Sequence, residues 1–206
     1  MHNPTIPCRQ RELPLLAADP RSELWQSITP TDFRENIRGG TPNQTTALRV
    51  AWNGAELRVL FDASDEHPWA TITERDGRLW EEEVIELFLD PIGDGASYFE
   101  IEVNPLGTVL DLVLRRNRSG WRKDAAWNCE GLDVAVQRTS GGWSAELAIP
   151  LRSLTPETPH VGTEWRVNFL RIDRPKDRER ELSAWSPTFV GTFHAPERFG
   201  TLLFSE

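Results

Sequence analysis

The runs Val84-Ile85-Glu86-Leu87-Phe88-Leu89-Asp90 and Tyr98-Phe99-Glu100-Ile101-Glu102-Val103-Asn104 repeat apolar and polar residues with a period of two. Successive side chains of a strand point to opposite faces, so each run reads as a half-buried strand and not as an amphipathic helix. Ile85, Leu87 and Leu89 share one face, Phe99, Ile101 and Val103 share another, and these are the core sets. The opposite faces carry Val84, Glu86, Phe88 and Asp90 from the first run, and Tyr98, Glu100, Glu102 and Asn104 from the second. If the strands pair, Glu86, Glu100 and Glu102 gather on one polar sheet surface, with Glu100 and Glu102 directed to solvent and ionised at neutral pH.

Outward from these two runs, further strands are predicted at Ala47–Trp52, Glu56–Asp62, Thr108–Arg115, Leu132–Gln137, Trp143–Ile149, Trp165–Ile172 and Gly200–Phe204, with a weaker one near Ala70–Glu74. Gly, Asn, Asp and Pro bound them, as strand ends require. Asn53-Gly54 between the first two predicts a hairpin, with a two-residue type I′ turn. No window holds a helical period, and Leu151–Leu154 after Pro150 suits one helical turn. The pattern predicts an all-β fold, an antiparallel β-sandwich of about ten strands. Residues 1–44, rich in Pro and poor in periodicity, are expected to form an irregular arm packed on it, with 1–206 as a single domain.

The chain has 206 residues, enough to bury a core without staples, and 23 Lys+Arg against 32 Asp+Glu give a net charge of −9. That balance argues against a nucleic-acid or anionic-membrane partner, which needs a basic footprint. The first residues lack a basic-then-apolar secretory pattern, which leaves the compartment open and favours the cytoplasm if Met1 is the start. Cys8 and Cys129 are too few and too far apart in sequence for a disulfide framework or a zinc site. Nine Trp exceed what one core of this size calls for, so some are expected at the surface for a reason.

Carboxylates, an amide and a guanidinium rimmed by indoles are what a saccharide needs: planar polar groups take its hydroxyls, and its C–H faces stack on Trp. Trp69, Trp80 and Trp185 lie outside the strong strand runs and are rim candidates, whereas Trp52, Trp143 and Trp165 suit the core. Arg166 and Asn168 alternate onto the non-core face of their strand, beside Glu86 and Glu102. Glu100 and Glu102 would stand about 7 Å apart along the strand, within reach of a hydrolytic acid and base. Nothing desolvates one and not the other, so no catalysis is expected. Asp90 and Asp94, in a Gly-containing turn, are candidate ligands of a structural calcium ion, against ordinary turn chemistry. The run Arg171–Glu181 reads as a solvated loop that could cover a binding site.

Trp80-Glu-Glu-Glu-Val-Ile-Glu86, Tyr98-Phe-Glu-Ile-Glu-Val-Asn104-Pro-Leu-Gly107, Gly142-Trp-Ser-Ala-Glu146, Trp165-Arg-Val-Asn168, Ala184-Trp185-Ser-Pro187 and Phe193-His194-Ala-Pro196-Glu-Arg-Phe199-Gly200, in this order, resemble the family 9 carbohydrate-binding modules and their family-9-like branch among the DOMON-like sandwiches. The resemblance runs from about Thr45 to Phe204. It implies a β-sandwich that binds, without catalysis, the end of a plant-type polysaccharide or an oligosaccharide. By position it assigns Trp80 and Trp185 as the two stacking residues and Glu86 as a hydroxyl-binding acid. The chain departs from typical sugar binders by carrying Arg166 and Leu182 where polar partners are expected, and by a long charged loop before Trp185. Some DOMON-like relatives bind haem, so His67, His194 and Lys123 stand as candidate axial ligands, with Met1 unsuited to burial. A protein-interaction module using the same exposed aromatics is the third alternative.

Overall fold

The computed structural model describes residues 2–175 and 178–206. Met1, on which the Met/His haem pair depends, and Lys176 and Asp177 of the charged run lie outside the described residues. The strands are β1 (Thr5–Gln10), β2 (Thr31–Asp32), β3 (Arg34–Glu35), β4 (Thr46–Trp52), β5 (Glu56–Ser64), β6 (Val84–Asp90), β7 (Ser97–Val103), β8 (Val109–Asn117), β9 (Gly120–Asp124), β10 (Asp133–Thr139), β11 (Gly142–Pro150), β12 (Glu164–Asp173), β13 (Glu181–Ala184) and β14 (Gly200–Ser205). Helix among the described residues is confined to the single turns α1 (Glu23–Gln26) and α2 (Leu151–Leu154) and two 3₁₀ turns, Leu79–Glu81 and Pro196–Arg198. None is long and apolar enough to cross a membrane.

Hydrogen bonding runs in the order β10-β11-β5-β4-β1-β14-β12-β6-β7-β8-β9, a curled sheet whose two halves face each other as a sandwich. Between the faces lies the main core, where Leu48, Val50, Val59, Phe61 and Leu147 of one half meet Ile85, Leu87, Leu89, Ile101, Val103, Val167 and Phe169 of the other. The alternation assigned Ile85, Leu87, Leu89, Ile101 and Val103 to this face, and Trp52, Trp143 and Trp165 are core residues as expected.

Three local features differ from the sequence reading. Thr5–Gln10 in the N-terminal segment is a strand that pairs in parallel with both β14 and β4, so the sheet is mixed at that point. Ile6 and Cys8 do alternate inward along it, but two apolar positions with Pro7 between them are too short a signal to mark a strand. The β4–β5 hairpin forms, but neither Asn53 nor Gly54 has a positive φ, so the turn is not type I′. Asn53 closes it through its own side chain, whose Oδ1 accepts from Ala55 N at 2.8 Å and Glu56 N at 2.9 Å. Residues 70–74 form no strand.

Trp185 enters the main core edge-on to Phe169, with ring centroids 5.8 Å apart. It packs over Gly200, where an added Cβ would come within 2.3 Å of the indole and 2.7 Å of Pro4 O. Overpacking a rigid site costs about 1–3 kcal/mol. Gly200→Ala should therefore lower unfolding stability by about that amount in a urea titration, whereas Gly40→Ala, with nothing within 4 Å of its Cβ, should not. Equal midpoints for the two variants would mean that Trp185 is not held in this packing.

Candidate functional site

The second face of the β12-β6-β7-β8 half is not open to solvent. Val84 and Phe88 of β6, Tyr98 of β7, Leu110, Leu112 and Leu114 of β8, and Leu170 and Ile172 of β12 form a second apolar cluster on it, under Leu182, Phe193 and Phe199. Two buried asparagines hold this cover. Asn168 Nδ2 donates to Ser186 O at 2.8 Å while its Oδ1 accepts from Ser186 N at 3.0 Å. Asn36, from the N-terminal segment, donates to Val190 O at 2.9 Å and to Thr188 Oγ1 at 2.8 Å, and accepts from Thr188 N at 2.9 Å.

Glu86 pairs across the ladder with Glu102, and Phe88 with Glu100, so the three carboxylates converge on this covered face as the alternation required. They do not reach solvent: Glu86 is 3% exposed, and Glu100 and Glu102 are each 1% exposed. The expectation of two solvated glutamates is thus corrected. Its premise, that the non-core face of a strand is wet, fails because residues 185–199 cover that face. Candidate ligand oxygens of the three lie within 4.8 Å of one another. Burial, followed by the charge of Glu100, pushes the Glu86 carboxyl well above the ordinary carboxylate range, and burial followed by Glu86 and Glu100 does the same to Glu102.

Above the carboxylates is a cavity of about 240 Å³. Trp80 walls it from the 3₁₀ turn Leu79–Glu81, half-buried, its carbonyl accepting from Arg174 Nη2 at 3.1 Å. Lys123 of β9 brings its ammonium 5.0 Å from the Trp80 ring and 3.8 Å from Glu100 Oε1. His194 lies on Phe88 with 8° between the rings and shares a 2.8 Å hydrogen bond with Tyr98 Oη; burial lowers its pKa, which keeps it neutral. Arg180, Leu182 and Gly191 border both this cavity and a neighbouring one of about 540 Å³, which Glu35, Arg38 and Asn43 also line.

Of the sequence-derived candidates, Trp80, Glu86 and Glu102 meet in this cavity. Trp185 does not reach it and lies in the core. Asn168 is spent on the Ser186 backbone. Arg166 donates to Phe199 O and lines a separate cavity beside Asp90 and Asp94. Trp69, half-buried, donates from Nε1 to Arg174 O at 2.6 Å. None of the nine Trp is fully exposed: Trp69, Trp80, Trp121 and Trp127 are half-buried at the surface and the other five are buried. Glu100, Arg180 and His194 line the cavity without having been read as saccharide ligands; Lys123 sits on β9, a strand without strong alternation.

Among the described residues, Asp90 and Asp94 do not group with a third acid, His or Cys as a cation site. Asp90 accepts from Gly93 N at 2.7 Å and Gly95 N at 2.9 Å, and Asp94 from Ala96 N at 2.7 Å, which is turn chemistry. The run Arg171–Glu181 is likewise not a solvated loop at its start: Arg171 is fully buried, paired with Asp65 at 2.9 Å and Asp173 at 3.3 Å. Of the haem candidates, His67 is exposed and outside the cavity, whereas Lys123 and His194 both line it.

A carboxyl whose folded pKa is raised holds its proton in the native state after the unfolded chain has released it, so its contribution to stability is lost as pH climbs through the folded pKa. Burial also raises Glu83, to about 9, with the same sign. Thermal midpoints should therefore fall from about pH 5 to 8. Glu102→Gln should flatten part of that slope and gain on the parent as pH rises; parallel curves would show that Glu102 is ionised in the fold.

Residues 20–206 match the carbohydrate family 9 binding domain-like family. An extracellular protein of Arthroderma benhamiae is 26% identical over 87% of this chain and 86% of its own length. Endo-1,4-beta-xylanase A of Thermoanaerobacterium saccharolyticum is 22% identical over 89% of this chain, which spans 15% of that enzyme. Among solved structures, one from Bacteroides uniformis superposes with a TM-score of 0.77 at 19% identity, covering 98% of this chain and 100% of that one. A family 9 carbohydrate-binding module of Caldicellulosiruptor kristjanssonii, solved in complex with glucose, gives 0.74 at 15% identity, covering 98% and 96%. The same module in complex with cellotriose gives 0.75 at 16%, covering 98% and 94%.

Proposed function

The chain belongs to the carbohydrate family 9 binding domain-like family, and from that premise we propose that it binds a saccharide, without catalysis, in the cavity between Trp80 and the carboxylates of Glu86, Glu100 and Glu102. The observation that carries this reading is the pairing of one half-buried indole wall with buried carboxyl oxygens left without a partner, Glu86 Oε1 first among them. Such acceptors are costly to leave unmade and suit the hydroxyls of a ring stacked on the indole. About 240 Å³ takes one sugar ring, and the neighbouring cavity of about 540 Å³ offers room for the units that follow. A chain end is therefore the fitting ligand. The glucose and cellotriose complexes of the Caldicellulosiruptor module support a glucose-type unit.

Catalysis has no geometry to use. The three carboxyls converge from one floor, their oxygens within 4.8 Å of one another, whereas a hydrolase sets an acid and an ionised partner on opposite sides of the bond, about 5–10 Å apart. Incubation with aryl glycosides should release no product; turnover lost on Glu86→Gln would make the protein an enzyme.

Titration of intrinsic Trp fluorescence with glucose and cello- and xylo-oligosaccharides is expected to show weak binding. Trp80→Ala should weaken it by about 1–3 kcal/mol, as loss of an interface anchor does. No response to any saccharide at millimolar concentration would remove the saccharide reading in favour of a protein partner.

A further inference from the structure

The chain is acidic as a whole, but its cations are not spread evenly. Five of its 23 Lys and Arg, namely Arg115, Arg116, Arg118, Arg122 and Lys123, fall within residues 115–123, with no acid among them. All five are exposed on the β8–β9 hairpin at the end of the sheet. The hairpin has a fixed shape. Asn117 Oδ1 accepts from Ser119 N and Ser119 Oγ, each at 2.9 Å, which closes the turn, and Trp121 anchors β9 edge-on to Tyr98 with ring centroids 5.1 Å apart.

This clustering works against the fold. Arg115 and Arg122 stand directly opposite each other in the ladder, and like charges so placed are destabilising. The protein supplies little counter-charge: among the described residues Asp124 pairs with Arg115 at 3.0 Å and Glu100 with Lys123 at 3.8 Å, while Arg118 and Arg122 have neither an ion pair nor a side-chain hydrogen bond. Arg116 lies over the Trp121 ring, 5.9 Å from its centroid. An edge strand carries charge to ward off other chains, but that use does not call for five cations side by side on a chain of net charge −9. The patch is also continuous with the cavity. Trp121 and Lys123 alternate onto one face of β9, and the Lys123 ammonium stands 5.0 Å from the Trp80 ring in the cavity wall.

We propose that the β8–β9 hairpin is a docking surface for an acidic glycan whose sugar units bear carboxylates, its arginines taking the carboxylates while a unit of the same chain occupies the cavity at Trp80. This rests on the saccharide reading above and goes beyond it, since of the hairpin's five cations Lys123 alone lines that cavity. Carboxylate is the matching group because a planar guanidinium takes its two oxygens in parallel hydrogen bonds. The cavity that Lys123 shares with the hairpin makes the polyanion a glycan and not a nucleic acid. Its floor does not turn such a chain away, because burial holds protons on Glu86 and Glu102.

The test is calorimetric titration of the full chain, at low and at high salt, with the tetramer of β-1,4-linked glucuronate, its methyl ester, cellotetraose, a tetraglutamate peptide with blocked ends and a single-stranded oligonucleotide of equal charge. The ester keeps the rings and removes the charge. Exposed ion pairs are weak singly, so several together should let the free acid bind about tenfold tighter than the ester at low salt, and screening should erase that preference at high salt. Arg118→Gln combined with Arg122→Gln, at exposed positions that hold nothing else in place, should erase it at low salt too, whereas Trp80→Ala should weaken acid and ester alike. Acid and ester binding equally would overturn the inference and leave saccharide binding standing, whereas silence from every sugar would remove both. A double variant that keeps the full preference would overturn the inference as well. So would a peptide or oligonucleotide that binds as tightly as the acidic tetramer, in favour of a patch that reads charge alone.

Discussion

Two buried side-chain amides decide what the rest of the molecule can do. Asn168, at the middle of β12, exchanges hydrogen bonds with both backbone groups of Ser186, and Asn36 accepts from Thr188 N while donating to Thr188 Oγ1 and Val190 O. Backbone groups taken out of water must be satisfied, and an amide offers a donor and an acceptor in one plane. These clamps fix the segment after β13 across the second face of the β12-β6-β7-β8 half-sheet. Once it lies there, Phe193 and Phe199 complete an apolar cluster, and the acids on that face are removed from solvent without having partners of their own.

The same fold holds a second group of acids, and the contrast defines the first. Asp65, Glu83 and Asp173 also converge within 4.8 Å. There, Arg171, fully buried, pairs with Asp65 and Asp173 and donates to Ser64 O at 2.8 Å. A guanidinium in the midst of buried carboxylates answers their charge and locks the end of β12 to the end of β5, which is structural work. The Glu86, Glu100 and Glu102 group has no such internal answer. Its cation is Lys123 on the edge strand β9, which makes a long ion pair of 3.8 Å with Glu100 Oε1 from a half-exposed position. Burial answers it instead by holding protons on Glu86 and Glu102, which leaves polar, uncharged groups beside the cavity.

Period-two alternation carried the sheet well. Strands β4 to β8, β10 to β12 and β14 fall where the apolar sets predict them, since each has one face on the main core. β1 escapes because only Ile6 and Cys8 turn inward along it, with Pro7 between them, and β9 and β13 because neither alternates apolar with polar residues over its length. The convergence of Glu86 with Glu102 was legible as well, being a matter of strand parity. Their burial was not: it follows from a contact between β12 and a segment remote from β6 and β7 in sequence. The same remoteness hid Lys123 and Arg180, and it misassigned Asn168 and Trp185, whose chemistry suits a sugar but whose positions serve the cover and the core.

Trp185 has a consequence for how the cavity discriminates. With its indole committed to Phe169 and Gly200, Trp80 is the only indole lining the cavity among the described residues. A ring stacked on one face gains less apolar contact than one held between two, and stacking on C–H faces distinguishes poorly between hexoses. Selectivity must then come from the polar floor, where an acceptor left unpaired by the wrong ligand costs more than a lost apolar contact. On the saccharide reading proposed above, the arrangement trades a second aromatic wall for a polar floor, which shifts the basis of recognition from the shape of the ring to the hydrogen-bonding groups it presents.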